Sequence, residues 1–160
     1  MPTPTRIETD MLGEVKVPAQ AYYGVNTVRA IENFSISGIP ISNSPDLINA
    51  LACVKQAAAL ANHELGLLDE KSARAIVAAC EEIRAGKLHD QFIVDVIQGG
   101  AGTSTNMNAN EVIANRALEL MGRARGDYAV LHPNEHLNMS QSTSVGGPDQ
   151  RGPSVGVPGS

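Results

Sequence analysis

The chain has 160 residues, which fits one modest domain able to bury about two-thirds of its unfolded-chain surface. Hydrophobic residues make up 42% and charged residues 18%, a balance that excludes a disordered bulk and a membrane-spanning composition. A net charge of -5, with no local Lys/Arg cluster to offset it, argues against nucleic acid as a partner.

The N-terminus, Met1-Pro-Thr-Pro-Thr-Arg-Ile-Glu, lacks an apolar signal core, and no apolar run is long enough to cross a bilayer. A cytoplasmic protein with no membrane partner is expected. The two cysteines, Cys53 and Cys80, form no CxxC pair and sit inside helical patterns, so both are expected in the core. The Asn-x-Ser sequons at Asn33 and Asn138 carry little meaning in such a compartment.

Residues Arg6 to Val17 mix Ile, Val and Leu with charges and are broken by Gly13, which predicts a short strand or hairpin before Pro18. From Pro18, placed as a first helical residue, the stretch PAQAYYGVNTVRAIENF predicts a loosely started helix. Its apolar positions are Val25, Val28 and Ile31, with Gly24 as an interruption. Ser44-Pro45-Asp46 combines a hydroxyl cap, a Pro at the first position and an acid in the first turn. The helix that follows is expected to bury a seam of Leu47, Leu51, Val54, Ala58, Ala61 and Leu65 and to stop at Gly66. A partner helix is expected from Asp69 to about Ala85, burying Ala73, Ile76, Val77, Cys80 and Ile83 and ending at Gly86. A third helix is expected from near Thr103 to Asn106 through to Gly122. After Thr143 the composition changes to Gly, Pro and Ser, so residues 1–143 read as the domain and 144–160 as a disordered tail.

The segment Gln98-Gly-Gly-Ala-Gly-Thr-Ser-Thr-Asn106 is where chemistry is concentrated. It lacks the third glycine of a dinucleotide fingerprint and the Gly-Lys-Ser/Thr of a phosphate loop. Backbone N–H groups and hydroxyls near a helix start suit a small anion such as a carboxylate. At helical spacing Thr103, Asn106 and Asn110 share one face while Asn108, Glu111 and Asn115 share another. Such a helix is expected either to be washed by solvent or, the favoured reading, to line a polar cavity. A second hydroxyl cluster, Ser140-Gln141-Ser142-Thr143, follows a turn at Pro133-Asn134. Between them His132-Pro-Asn-Glu135-His136 has H-x-x-E-H spacing, but Pro133 and Asn134 favour a turn and no third ligand is evident, so no metal site is expected. His63 and His89 read as a helix-face and a loop residue.

The words VPAQAYYGVNTVRAIENF, QGGAGTSTNMNANEVIANRALELMG and HLNMSQST stand here in an order and spacing that resembles the aspartase/fumarase superfamily over Arg6 to Thr143. Within it, Gly100-Ala101-Gly102-Thr103-Ser104 looks like the aspartate ammonia-lyases rather than the class II fumarases, whose word reads GSGT followed by Gln-Ser. The resemblance implies a mainly α, helical N-terminal domain with a short strand or hairpin, then a long-helix central domain that bundles into a homotetramer with each active site built from three subunits. It implies reversible elimination of ammonia from L-aspartate to fumarate without an organic cofactor. By the same resemblance Thr103 contacts the substrate amino group, and Ser142 and Thr143 grip the reacting carboxylate. Ser104 and Asn106 beside Thr103 are further candidates, and so is Ser144, which stands where the family has an Asn. The family's Thr-His pair and its loop with the catalytic serine match nothing in these 160 residues, so no catalytic base is assigned and the pattern is expected to break off at Ser144. The alternatives are a class II fumarase segment and a non-catalytic helical interaction module.

Overall fold

The computed structural model describes residues 2–33, 36–97 and 102–138. The chain begins with the expected hairpin: β1 (Thr5–Asp10) pairs antiparallel with β2 (Gly13–Pro18), Thr5 opposite Pro18 and Asp10 opposite Gly13. Gly13 sits at φ +121°, a turn conformation that side chains rarely adopt. The hairpin buries Glu8 and Val17.

Pro18 does not start a helix, contrary to expectation; it closes β2, and α1 begins only at Val25 and runs to Asn33. The reason is Arg6. Its guanidinium donates to the carbonyls of Pro18, Ala19, Ala21 and Tyr23 at 2.8 to 3.2 Å. Carbonyls that a helix would satisfy internally are satisfied by a side chain instead, so the segment stays irregular at little cost.

Helix α2 spans Pro45–Glu64 with Pro45 and Asp46 in its first turn, though the Ser44 hydroxyl makes no capping bond. It ends through Gly66 at φ +75°. The predicted seam is rotated about the axis. The buried face is Ile48, Leu51, Ala52, Lys55, Ala59 and Asn62, while Leu47, Val54 and Leu65 are exposed, as is Cys53. Only Leu51 is common to both rows. Helix α3 (Glu70–Arg84) follows its prediction: Asp69 caps it by accepting from Ser72 N at 3.0 Å, Ala73, Ile76, Cys80 and Ile83 are buried, and Gly86 stops it at φ +97°. Val77 is half-buried.

Helices α2 and α3 pack along each other, and α3 and α1 pack on α4 (Thr103–Leu120). Helix α4 is buried around nearly its whole circumference, from Thr105 to Asn115 without a break and again at Ala117 and Leu118. Its apolar residues Val112, Ile113, Ala114 and Leu118 join Ile48, Leu51, Ile76, Ile83, Phe92 and Leu131 in one core. No helix among the described residues is long and apolar enough to cross a membrane. The predicted tail, 144–160, lies outside the described residues.

Candidate functional site

The buried amides of α4, Asn108 and Asn115, fasten irregular backbone to the helix, while the cleft that the sequence reading favours is bordered by other residues of the helix, Thr103, Met107 and Glu111. Asn108 Oδ1 accepts from Ile93 N at 3.0 Å and its amide donates to Gln91 O at 3.1 Å. Asn115 donates to Tyr22 O at 2.7 Å and accepts from Gly126 N at 2.7 Å. Each buried amide thereby replaces the water that a loop would otherwise need.

Glu111 does the same for α1. Its carboxylate accepts from Asn26 N, Thr27 N and the Thr27 hydroxyl at 2.7 to 2.9 Å, while Glu8 accepts from Val25 N at 3.0 Å. Two buried acids thus take the first-turn donors of one helix, where they also meet the positive end of its dipole. Burial pushes the Glu111 carboxyl up to about 7, against the pull of those donors and with help from the neighbouring Glu8 charge. Tyr128 donates to Glu8 Oε1 at 2.9 Å and accepts from the Asn115 amide, and its burial raises its own hydroxyl.

One stripe of α4, Thr103, Met107 and Glu111, borders a cleft of about 450 Å³. The hairpin turn at 9–12, Val25, Tyr128 and the turn at 132–134 close its other sides. Thr103 is exposed in the first turn of α4, just after Gly102 in the left-handed region at φ +77°. The first-turn amides have no acceptor within the helix, and no acidic residue occupies that turn. A hydroxyl and outward amides at the positive end of a long, otherwise enclosed helix suit a carboxylate-bearing ligand. Ser104 is half-buried beside Thr103, and Asn106 is fully buried with its amide on Asn138 Oδ1 at 3.0 Å. Ser142, Thr143 and Ser144 lie outside the described residues.

The core also encloses a charged group that the sequence reading did not single out. Lys55 lies in the core face of α2 and donates from Nζ to Asn138 Oδ1 at 3.1 Å. Burial lowers its ammonium to about 8. A lysine in an apolar helical row reads as an edge residue, so only the alternative phase containing Ile48, Leu51, Ala52 and Ala59 could have placed it inside. His132 and His136 form a turn: His136 Nδ1 accepts from His132 N at 2.7 Å and His132 Nδ1 accepts from Asn134 N at 3.0 Å. Among the described residues no three His, Cys, Asp or Glu side chains stand together as a metal set. His63 sits in the last turn of α2, and His89 in a short 3-10 turn.

Residues 13–144 match the model of a protein family described as Lyase, and the chain belongs to that family. Curated relatives that it matches at 56 to 61% identity include aspartate ammonia-lyases. That of Pseudomonas aeruginosa is 60% identical over 140 residues, covering 88% of this chain and 30% of that protein. That of Bacillus subtilis is 61% identical over 139 residues, covering 87% and 29%. Among solved structures, the native form of the fumarate lyase:delta crystallin from Brucella melitensis is 60% identical with a TM-score of 0.86, over 88% of this chain and 33% of that one. A class II fumarase from Schistosoma mansoni is 38% identical with a TM-score of 0.78, over 88% and 29%. The chain spans about 30% of the length of the curated relatives it matches.

Proposed function

We propose that this chain is the substrate-contacting N-terminal part of an aspartate ammonia-lyase, which eliminates ammonia reversibly from L-aspartate to give fumarate. The observation that carries the reading is Thr103, exposed at the open N-terminal end of a helix that is buried almost everywhere else. A small dicarboxylate needs oriented neutral donors rather than a fixed cation at that place, because the charge it must accommodate grows during the reaction. Removal of the proton beside the side-chain carboxylate yields an aci-carboxylate dianion, and donors held in place beforehand stabilise it without reorganising. In this reading Thr103 holds the amino group, and Ser142 with Thr143 holds the carboxylate. The base comes from sequence beyond these 160 residues, and the working unit is a cytoplasmic homotetramer that uses no organic cofactor. Identity near 60% to the aspartate ammonia-lyases against 38% to the class II fumarase favours ammonia over water as the group eliminated.

The test is fumarate absorbance with millimolar aspartate. The 160-residue chain alone should make no fumarate, because an unassisted hydroxyl is a poor proton acceptor. A chain in which residues 1–143 replace the matching segment of the Bacillus subtilis enzyme should turn over aspartate but not malate. Turnover of malate instead would move the assignment to the fumarases, and a folded tetramer inert to both would leave a helical interaction module.

A further inference from the structure

We propose that Glu8 and Glu111 form a proton-operated latch on the first turn of α1: one proton held by the pair keeps Val25, Asn26 and Thr27 closed against the cleft, and its loss releases them, whichever ligand the cleft takes.

Both acids reach that turn from outside it. Glu8 stands on β1 and is 4% exposed, and Glu111 stands on α4 and is 0% exposed. Glu8 accepts from Val25 N, and Glu111 accepts from Asn26 N and Thr27 N. The first amides of a helix have no acceptor within it, so nothing in α1 duplicates these bonds. Val25 and Asn26 are also part of the cleft wall. What holds the turn therefore holds that wall.

The charges around the pair do not balance. Arg6 Nε donates to Glu8 Oε2 at 2.8 Å, whereas no cation reaches Glu111 among the described residues. Tyr128 donates to Glu8 Oε1 at 2.9 Å, and both of those oxygens converge with Glu111 Oε2 on Gly24, each within 2.6 Å of where a Cβ would stand. The neighbouring charges are spent elsewhere: Asp10 and Arg29 pair at the hairpin turn, His132 at the cleft rim accepts from Asn134 N, and on the α3 side Glu82 takes Arg116. Two carboxylates facing one guanidinium in a dry space leave one negative charge without a partner, and such a charge is removed by taking up a proton. Arg6 keeps Glu8 ionised, so Glu111 is the member that takes it.

A protonated Glu111 still accepts from α1 on its remaining lone pairs and turns a hydroxyl rather than a charge toward Glu8. Without the proton it is a second anion beside the first, and Gly24 puts no side chain between them. Because Glu111 borders the cleft as well as the core, the ionised carboxylate has water to turn to, and Asn26 and Thr27 lose their acceptor. Opened to water, the carboxyl returns to its ordinary 4.5 from about 7 in the closed turn. The latch is then tightest below about pH 4.5, loosens as the pH rises toward 7 and is level beyond.

The experiment is amide hydrogen exchange of the 160-residue chain, read residue by residue by NMR across that range and corrected for the intrinsic rate. Protection of Asn26 and Thr27 should fall by up to about tenfold per pH unit until about pH 7 and then stay level, the limit set by one linked proton. Low concentrations of urea should leave it unchanged, as they do for a local opening. In Glu111→Gln, whose amide stands in for the protonated carboxyl, protection should be level throughout. Glu8→Gln keeps the test open if that variant does not fold: with the facing charge gone, the fall should move to lower pH. Level protection in the unchanged chain, an unaltered fall in either variant, or exchange of these amides only through urea-sensitive global unfolding overturns the latch.

Discussion

Gly24 and Glu111 are in such close approach that no side chain fits between them. A Cβ placed on Gly24 would stand 2.6 Å from both Glu8 Oε1 and Tyr128 OH, and nearer still to Glu111 Oε2. The glycine that interrupts the helical pattern in the sequence is the gap through which two acids reach the first amides of α1. Gly24→Ala should therefore destabilise the fold by about 1 to 3 kcal/mol, the usual cost of overfilling a packed site. Urea unfolding measures it, and a midpoint equal to that of the unchanged chain would refute the close approach.

Glu111 also predicts a pH dependence. Its folded value, about 7, lies above the ordinary 4.5, so between those two the native state holds a proton that the unfolded state has released. Its contribution is then fully present below about pH 4.5, declines as the pH rises toward 7 and is flat beyond. Asp95 acts with the opposite sign: with Ser37 as its main donor it is held at about 2, and its contribution is lost only as the pH falls below the usual carboxylate range. The difference in unfolding free energy between the unchanged chain and Glu111→Gln, followed from pH 4.5 to 7, should slope downward. A level difference across that window would show that Glu111 titrates as an ordinary carboxyl.

In the full-length chimera with the Bacillus subtilis enzyme, Thr103→Ala and Ser142→Ala should each lower kcat by about 10²- to 10³-fold, the typical loss on removing one preorganised polar contact to the reacting substrate. Thr103 is exposed, so its substitution should leave the melting temperature within a degree or two. Steady-state kinetics beside thermal unfolding separates the two effects.

Deleting residues 144–160 should leave the thermal midpoint of the chain unchanged, since their Gly, Pro and Ser composition offers little apolar surface to bury. A drop of several degrees on deletion would show that the tail packs.

How far the sequence could be read depended on whether a helix was governed by its own residues or by a neighbour. Helix α3 was legible throughout, because Asp69, Gly86 and a regular apolar row act locally. The ends of α2 were legible for the same reason, but its rotation was not. The inward face is the one that packs on α3 and places Lys55 against Asn138, 83 residues away, and no pattern within α2 reports those partners. Pro18 misled similarly, since the competing acceptors of the following loop are claimed by Arg6 from β1. On α4 the run of amides was correctly seen as unusual, yet its use as a backbone fastener depends on loops that carry no motif. Of the proposed site, the family words indicated Thr103 and the Ser142-Thr143 pair, while the cleft beside Thr103 and the burial of Lys55 against Asn138 were visible only once the chain was folded.

The enclosure of α4 has a consequence for the order of events during synthesis. Glu8 bonds Tyr128 across 120 residues, and Tyr22 bonds Asn115 across 93. At roughly 5 to 20 residues per second, the hairpin and the start of α1 leave the ribosome many seconds before the groups that fasten them exist. The buried acid Glu8 and the irregular loop after Pro18 remain hydrated until α4 arrives. Helices α2 and α3, whose contacts are close in sequence, can pair in the meantime, so the part of the molecule translated first is among the last to acquire its final form.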